Sequence, residues 1–259
     1  MSNHPKQPRL IPPCPGWQED LPHPDSAPSV AAFLDPDNPN HLCATYLELS
    51  RSPHHARGLM LYLTSSASAF LIFLGLVPVP VVEAGTLENA FIVIVDLLLV
   101  WMVAFGVRVD IAPPRDLPLR FNRARQRVYA YNFQYRWWNP FERWCVAAVS
   151  YDWSQVRAER WKLRGVTAQG AFIIKWGVVL SIVEPGTNKV VDRFPLSTMG
   201  ADEFAWSYIC TYMQQGPAAL PPPGAPRDHD VVPWYNLALR LAPKVNWPAG
   251  MDLESRTRP

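Results

Sequence analysis

The sequence has no C-x-x-C pair, no Walker loop, no G-x-G-x-x-G, no G-x-S-x-G and no H-E-x-x-H. Each gap removes a function class: phosphate-cradling loops, dinucleotide fingerprints, nucleophile elbows and zinc peptidase helices. The four cysteines, Cys14, Cys43, Cys145 and Cys210, are scattered. That spacing argues against a structural zinc site and a disulfide framework. Free thiols fit a reducing compartment. Histidine is also scarce in the second half, because five of the six precede residue 58 and only His229 follows. An imidazole acid/base pair in the folded part is therefore not expected. Carboxylate pairs at Asp202–Glu203 and Asp228–Asp230 fall at a helix start and in a tail, where solvation explains them. No enzymatic activity, cofactor or metal is expected.

Cations are missing from residues 58–107, which carry no Lys or Arg against three acids. Two apolar runs fill that gap. "GLMLYLTSSASAFLIFLGLVPVPVV", residues 58–82, is 25 residues without a charge, and "FIVIVDLLLVWMVAFGV", residues 91–107, has only Asp96. About 20 apolar residues cross a hydrocarbon layer of ~30 Å. The two runs, joined by "EAGTLEN", read as a transmembrane α-helical hairpin. Arg51 and Arg57 precede it, and Arg108, Arg115, Arg120 and Arg123 follow. The positive-inside rule then places both termini in the cytoplasm of a multi-pass bacterial inner-membrane protein. Asp96 is an intramembrane acid, read as a helix-end group rather than an ion path.

Residues 108–164 carry 12 Lys/Arg against five acids. Strands are predicted on either side of "NRARQ", with Phe121, Val128 and Tyr131 inward, and at 144–151, 171–184 and 189–194. "PGTN", 185–188, has turn chemistry. "DWSQVRAERWKLRG" is ambiguous between helix and strand. "GADEFAWSYICTYMQQGP" predicts a helix, with acids at its positive end and Gly216–Pro217 as the stop. The expected fold class is α+β: the transmembrane hairpin, then a small β-rich, pleckstrin-homology-like cytoplasmic domain closed by a helix. The divisions are a proline-rich segment (1–57), the hairpin (58–109), the β-rich domain (110–217) and a proline-rich linker and tail (218–259).

Arg57, Arg108, Arg115, Trp137 and Trp138 are candidate membrane-interface residues, since inner-leaflet lipid attracts Lys/Arg and tryptophan suits the headgroup level. Lipid contact is favoured over nucleic acid for this basic, aromatic stretch, and no nucleic-acid partner is expected. Trp206, Cys210, Asp228, Asp230 and Trp234 are candidate partner contacts. Small residues Ser65, Ser68 and Ala69 suit close helix packing, within the hairpin or between copies of the chain.

The order of the hairpin, "LPLRFNRARQRVYAY", a Trp-rich stretch with "DW", "VVDRFPL" and "FAWSYICTYMQQGP" resembles a family of uncharacterised proteobacterial two-span inner-membrane proteins associated with type VI secretion. The likeness covers about residues 45–217. It implies an immunity protein that binds a cognate toxin acting in the cytoplasm, such as a nuclease, and neutralises it stoichiometrically. It transfers no catalytic residue. The alternative is a membrane-anchored scaffold or lipid-binding module of a secretion or envelope machine.

Overall fold

The computed structural model describes residues 7–27, 30–34, 39–51, 57–76, 86–136, 138–166, 172–197, 201–224, 226, 228 and 230–259. Its strands are β1 (Trp17–Asp20), β2 (His41–Leu42), β3 (Tyr46–Leu49), β4 (Leu119–Asn122), β5 (Arg127–Gln134), β6 (Cys145–Asp152), β7 (Val156–Val166), β8 (Phe172–Val183) and β9 (Val190–Pro195). Its helices are α1 (Leu59–Leu76), α2 (Thr86–Ile111), α3 (Glu203–Gln215), α4 (Leu237–Leu241) and α5 (Ala249–Arg256). The strands form two antiparallel sheets, ordered β2-β3-β4-β5-β6 and β1-β7-β8-β9.

Period-two alternation explains the layers. In β4 and β5, Leu119, Phe121, Val128 and Ala130 point into the main core. There they meet Val156, Ala158, Leu180 and Ile182 of the other sheet, and one face of α3. The intervening residues point the opposite way, and they are buried too. Tyr129 and Tyr131 pack with Trp247 in a second core. Arg120 and Asn122 are covered by α5: Arg120 bonds Glu48, Asp252 and Ser255, and the Asn122 amide donates to the carbonyls of Glu254, Ser255 and Thr257. The five-stranded sheet is thus filled on both faces.

α3 forms where the sequence predicts it. The Asp202 carboxylate accepts from the N–H groups of Phe204 and Ala205, and Gly216, at φ 89°, ends the helix. Positive φ is strained for any residue with a Cβ, so glycine suits this stop. The ambiguous segment becomes a 3-10 turn at Trp153–Gln155 followed by β7. The proline-rich N-terminal residues, read as an extended segment, supply three strands divided between the two sheets.

The membrane expectation is corrected. No helix among the described residues is long and apolar enough to cross a membrane. α1 has 18 residues, about 27 Å at the helical rise, short of the ~30 Å hydrocarbon layer. α2 is longer, but it runs through Arg108 and Asp110 to Ile111, and that end is built into the folded chain. The Asp110 carboxylate accepts from Leu61 N–H in the first turn of α1, at 2.7 Å. Arg57 donates to the carbonyls of Asp110, Pro113 and Pro114, just past the end of α2. Each helix end is therefore capped by a charge from beside the other, which satisfies groups a helix leaves open. The two-span hairpin, the transmembrane and inner-membrane assignments, and the topology with both termini cytoplasmic are not supported. The connection at residues 77–85 lies outside the described residues. The single small sheet closed by a helix is also replaced, by a mixed α/β fold with two sheets.

Replacing Asn122, fully buried, removes the donor to three carbonyls of the C-terminal segment. Asn122→Ala should lower stability by about 2 kcal/mol, the cost of leaving buried acceptors unmet. Urea unfolding reads the loss, and faster trimming by carboxypeptidase shows that α5 is the part released.

Candidate functional site

Three polar clusters could hold chemistry, and their geometry decides what they do. The first lies inside the four-stranded sheet. Glu159 has no exposed surface, and its carboxylate accepts from Cys14 N–H, Ser181 hydroxyl and Arg193 guanidinium. Arg193 also donates to Ser181 and to the carbonyl of Pro12. An acid, a serine and a cysteine thus meet, but none is poised as a nucleophile. Burial, reinforced by the Glu159 charge, pushes the Cys14 thiol up to about 12, so it stays protonated at neutral pH. The cluster pins the N-terminal segment to β7, β8 and β9.

The second cluster joins the chain across the five-stranded sheet. Asp116 is fully buried and accepts from Asn40, Ser50 and Arg51 N–H. The Arg51 side chain donates to the carbonyls of Leu117 and Tyr131. Burial lowers its pKa to about 10, which still leaves it charged at neutral pH.

The third is a surface cleft of about 580 Å³ beside the start of α3, lined by Arg9, Trp17, Glu19, Asp20, His23 and Glu203 among others. Its acids are answered locally. Asp20 accepts from Arg9 N–H and Trp17 Nε1, while Arg160 pairs with Glu19 at 2.6 Å and lies 3.9 Å from Glu203. Burial lowers the His23 pKa, so its ring is neutral at pH 7. Among the described residues, no group of His, Cys, Asp and Glu could hold a metal ion.

The basic block is largely used inside the fold. Arg120 is buried between Glu48 and Asp252. Arg125 holds the carbonyls of Thr257 and Arg258, and Arg127 pairs with Glu254 at 2.7 Å. The candidate interface arginines are likewise engaged. Arg57 caps α2, Arg108 donates to Pro140 and lies over the Trp144 ring at 5.0 Å, and Arg115 pairs with Asp230 at 3.0 Å. Trp138 is exposed with Arg136 above its ring, and Trp137 lies outside the described residues, as do His54, His55 and His229. Asp96 sits on the exposed side of α2.

The partner-contact candidates divide. Trp206 and Cys210 are core residues: Trp206 donates to the Pro22 carbonyl and packs on Trp153, and burial pushes the Cys210 thiol up to about 12. A charged N-terminal segment laid over α3 was the element that the helix sequence alone could not reveal. Asp228 and Asp230 stay at the surface, with Asp230 N–H bonded to Asp228 and Lys244 paired to Asp230. Trp234 is 83% exposed and sits edge-on to Tyr235.

What remains for recognition is apolar surface. It occurs at Val231, Trp234, Tyr235 and Leu241 in the tail, at Tyr135, Trp138 and Phe141 beyond α2, along α1 and α2, and on the outer part of β7–β8. The chain belongs to DUF6708, a family of unknown function, which matches residues 96–259, from within α2 through α5. No curated protein and no solved structure matches it.

The burial of the thiols has a direct readout. At pH 8, Cys145, which is exposed, should react with a thiol reagent at least tenfold faster than Cys14 and Cys210. Raised pKa values leave the buried pair unreactive until the pH approaches 12 or the chain unfolds. Mass spectrometry of timed labelling checks the order.

Proposed function

We propose that this chain is an immunity-type binding protein that neutralises a type VI secretion toxin by a stoichiometric complex, without catalysis. The observation that carries the reading is the tail patch. Trp234 and Tyr235 stand exposed edge to face, and Val231, Leu241 and the acids Asp228 and Asp230 of the same segment are exposed too. Exposed Trp and Tyr flanked by charge is the composition of an interface centre with a polar rim. The patch is also held in place. Tyr62 hydroxyl donates to the Tyr235 carbonyl at 2.7 Å, and Asn236 caps α4 while donating to the Arg57 carbonyl. A held patch loses less ordering entropy on binding. A stable complex would bury roughly 1,200–2,000 Å².

The test uses the polypeptide encoded by the neighbouring reading frame. Its expression should kill cells lacking this chain, co-expression should rescue them, and the two should elute as a one-to-one complex. Trp234→Ala should weaken the complex about 30-fold, equivalent to about 2 kcal/mol, with the melting temperature unchanged. A harmless neighbour, or rescue without a complex, removes the reading.

A second reading, a lipid-binding scaffold module, has its own observation. Tyr135, Trp138 and Phe141 are exposed around Trp144 and Phe105, with Arg136 and Arg108 over the rings. Aromatics beside arginine suit the headgroup level of an anionic lipid surface, as a contact and not a crossing. Flotation with phosphatidylglycerol vesicles but not with phosphatidylcholine vesicles, lost in Trp138→Ala/Phe141→Ala, would favour it over the toxin complex.

A further inference from the structure

The four-stranded sheet is not four strands wide along its whole length. β1 meets β7 only from Trp161 towards Glu159, with further bonds from Leu21 N–H to the Ala158 carbonyl at one end and from Lys162 N–H to the Gly16 carbonyl at the other. β9 meets β8 only from Val179 onward, with one further bond from Leu196 N–H to the Val178 carbonyl. Beyond these points, β7 and β8 pair only with each other among the described residues, from Lys162↔Trp176 to Val166↔Phe172. They form a two-stranded arm.

The backbone of that arm has a free edge. Val178 turns its carbonyl toward Leu196, and peptide groups alternate along a strand, so Trp176, Ile174 and Phe172 turn theirs to the same side. No strand among the described residues covers that side of them. The same three residues place their side chains on one face of the arm, and all three are exposed, Phe172 at 85%. Exposed apolar edges are usually blunted by a charge, a proline or a bulge, because they template pairing with another chain. None of these interrupts Phe172 to Ile174, and the only charge on this run is Lys175.

Charge selects the occupant. Residues 161–183 carry Lys162, Arg164 and Lys175 and no acid. None of the three forms an ion pair among the described residues, in contrast to Arg120, Arg127, Arg160 and Arg193. A second copy pairing edge to edge would bring these cations together, which destabilises a strand pair. An acidic strand would neutralise them.

We propose that the β8 edge from Phe172 to Trp176 accepts an extended acidic peptide segment of a partner protein as an added strand. The segment's backbone completes the hydrogen bonds of Phe172, Ile174 and Trp176. Its apolar side chains, about 6.8 Å apart on one face, lie against those three residues, and its acids lie on the Lys175 face. This inference is independent of the toxin reading, since it concerns a different part of the chain and any acidic strand satisfies it.

A fluorescent heptapeptide alternating Val and Glu, with a Val/Lys peptide as control, tests it by anisotropy on the full chain. The Val/Glu peptide should bind at least tenfold tighter than the control, and less tightly as salt rises. Ile174→Pro, which removes an edge N–H, should weaken it at least tenfold. Lys175→Glu, an exposed change that leaves the backbone intact, should do the same with an unchanged melting temperature. Equal binding of both peptides, full binding by Lys175→Glu, displacement by oligo-dT, or concentration-dependent dimerisation that excludes the peptide would each overturn the proposal.

Discussion

The structure depends on a five-stranded sheet that has no solvent face at its centre. In β4, Leu119 and Phe121 fill the core against α3, while Arg120 and Asn122 sink into the opposite side beneath α5. A buried guanidinium and a buried amide are costly unless every donor is met. Glu48, Asp252, Ser255 and the C-terminal carbonyls of Glu254, Ser255 and Thr257 meet them. The C-terminal segment is therefore a layer of the fold. The same logic holds for the N-terminal segment, which is fixed by Glu159 and Arg193 through Cys14 and Pro12. Both ends of the described chain are held by polar contacts laid over apolar sheets.

The helix pair is integrated by exchange of charges. Asp110, near the end of α2, serves the start of α1, and Arg57, before α1, serves the end of α2. Close approach is set by Gly106, where an added Cβ would overlap the Thr64 methyl. The pair is thereby tied to the sheets at one end, and to the tail through Tyr62 and Tyr235. Along their outer sides the helices carry exposed Leu, Val, Ile and Met side chains.

The interior polar clusters and the exposed apolar groups differ in character. The Glu159 and Asp116 networks resemble catalytic constellations in residue type only. Their acids are fully buried and bonded to structural partners, and the thiol beside Glu159 is held protonated. The tail aromatics and the β7–β8 arm have the opposite character. They present large side chains that no described part of the chain covers.

Local signals in the sequence determined several elements. The strand signals that set Phe121 and Val128 inward, the turn at 185–188, and the Asp202 start and Gly216 stop of α3 all act over a few residues, and the structure has a strand, turn or helix at each, although Tyr131, expected inward with them, faces the second core beside Trp247. Trp234, a candidate partner contact in the tail, stands exposed, although packing against the domain was the simpler expectation for that segment. Tertiary structure decided what composition could not express. Uniformly apolar runs look alike whether they cross lipid or stand on a sheet domain, and only the caps at Arg57 and Asp110 tied their ends into the fold. The arginines of the basic block look alike whether they face a surface or a carbonyl, and the tail claimed Arg115, Arg120, Arg125 and Arg127. Trp206 sits on the flank of an amphipathic helix, and only the N-terminal segment crossing it, some 180 residues away in sequence, made it core. Hydrogen-bond partners that distant leave no periodic trace, because pattern reading senses neighbours along the chain and burial is settled by neighbours in space.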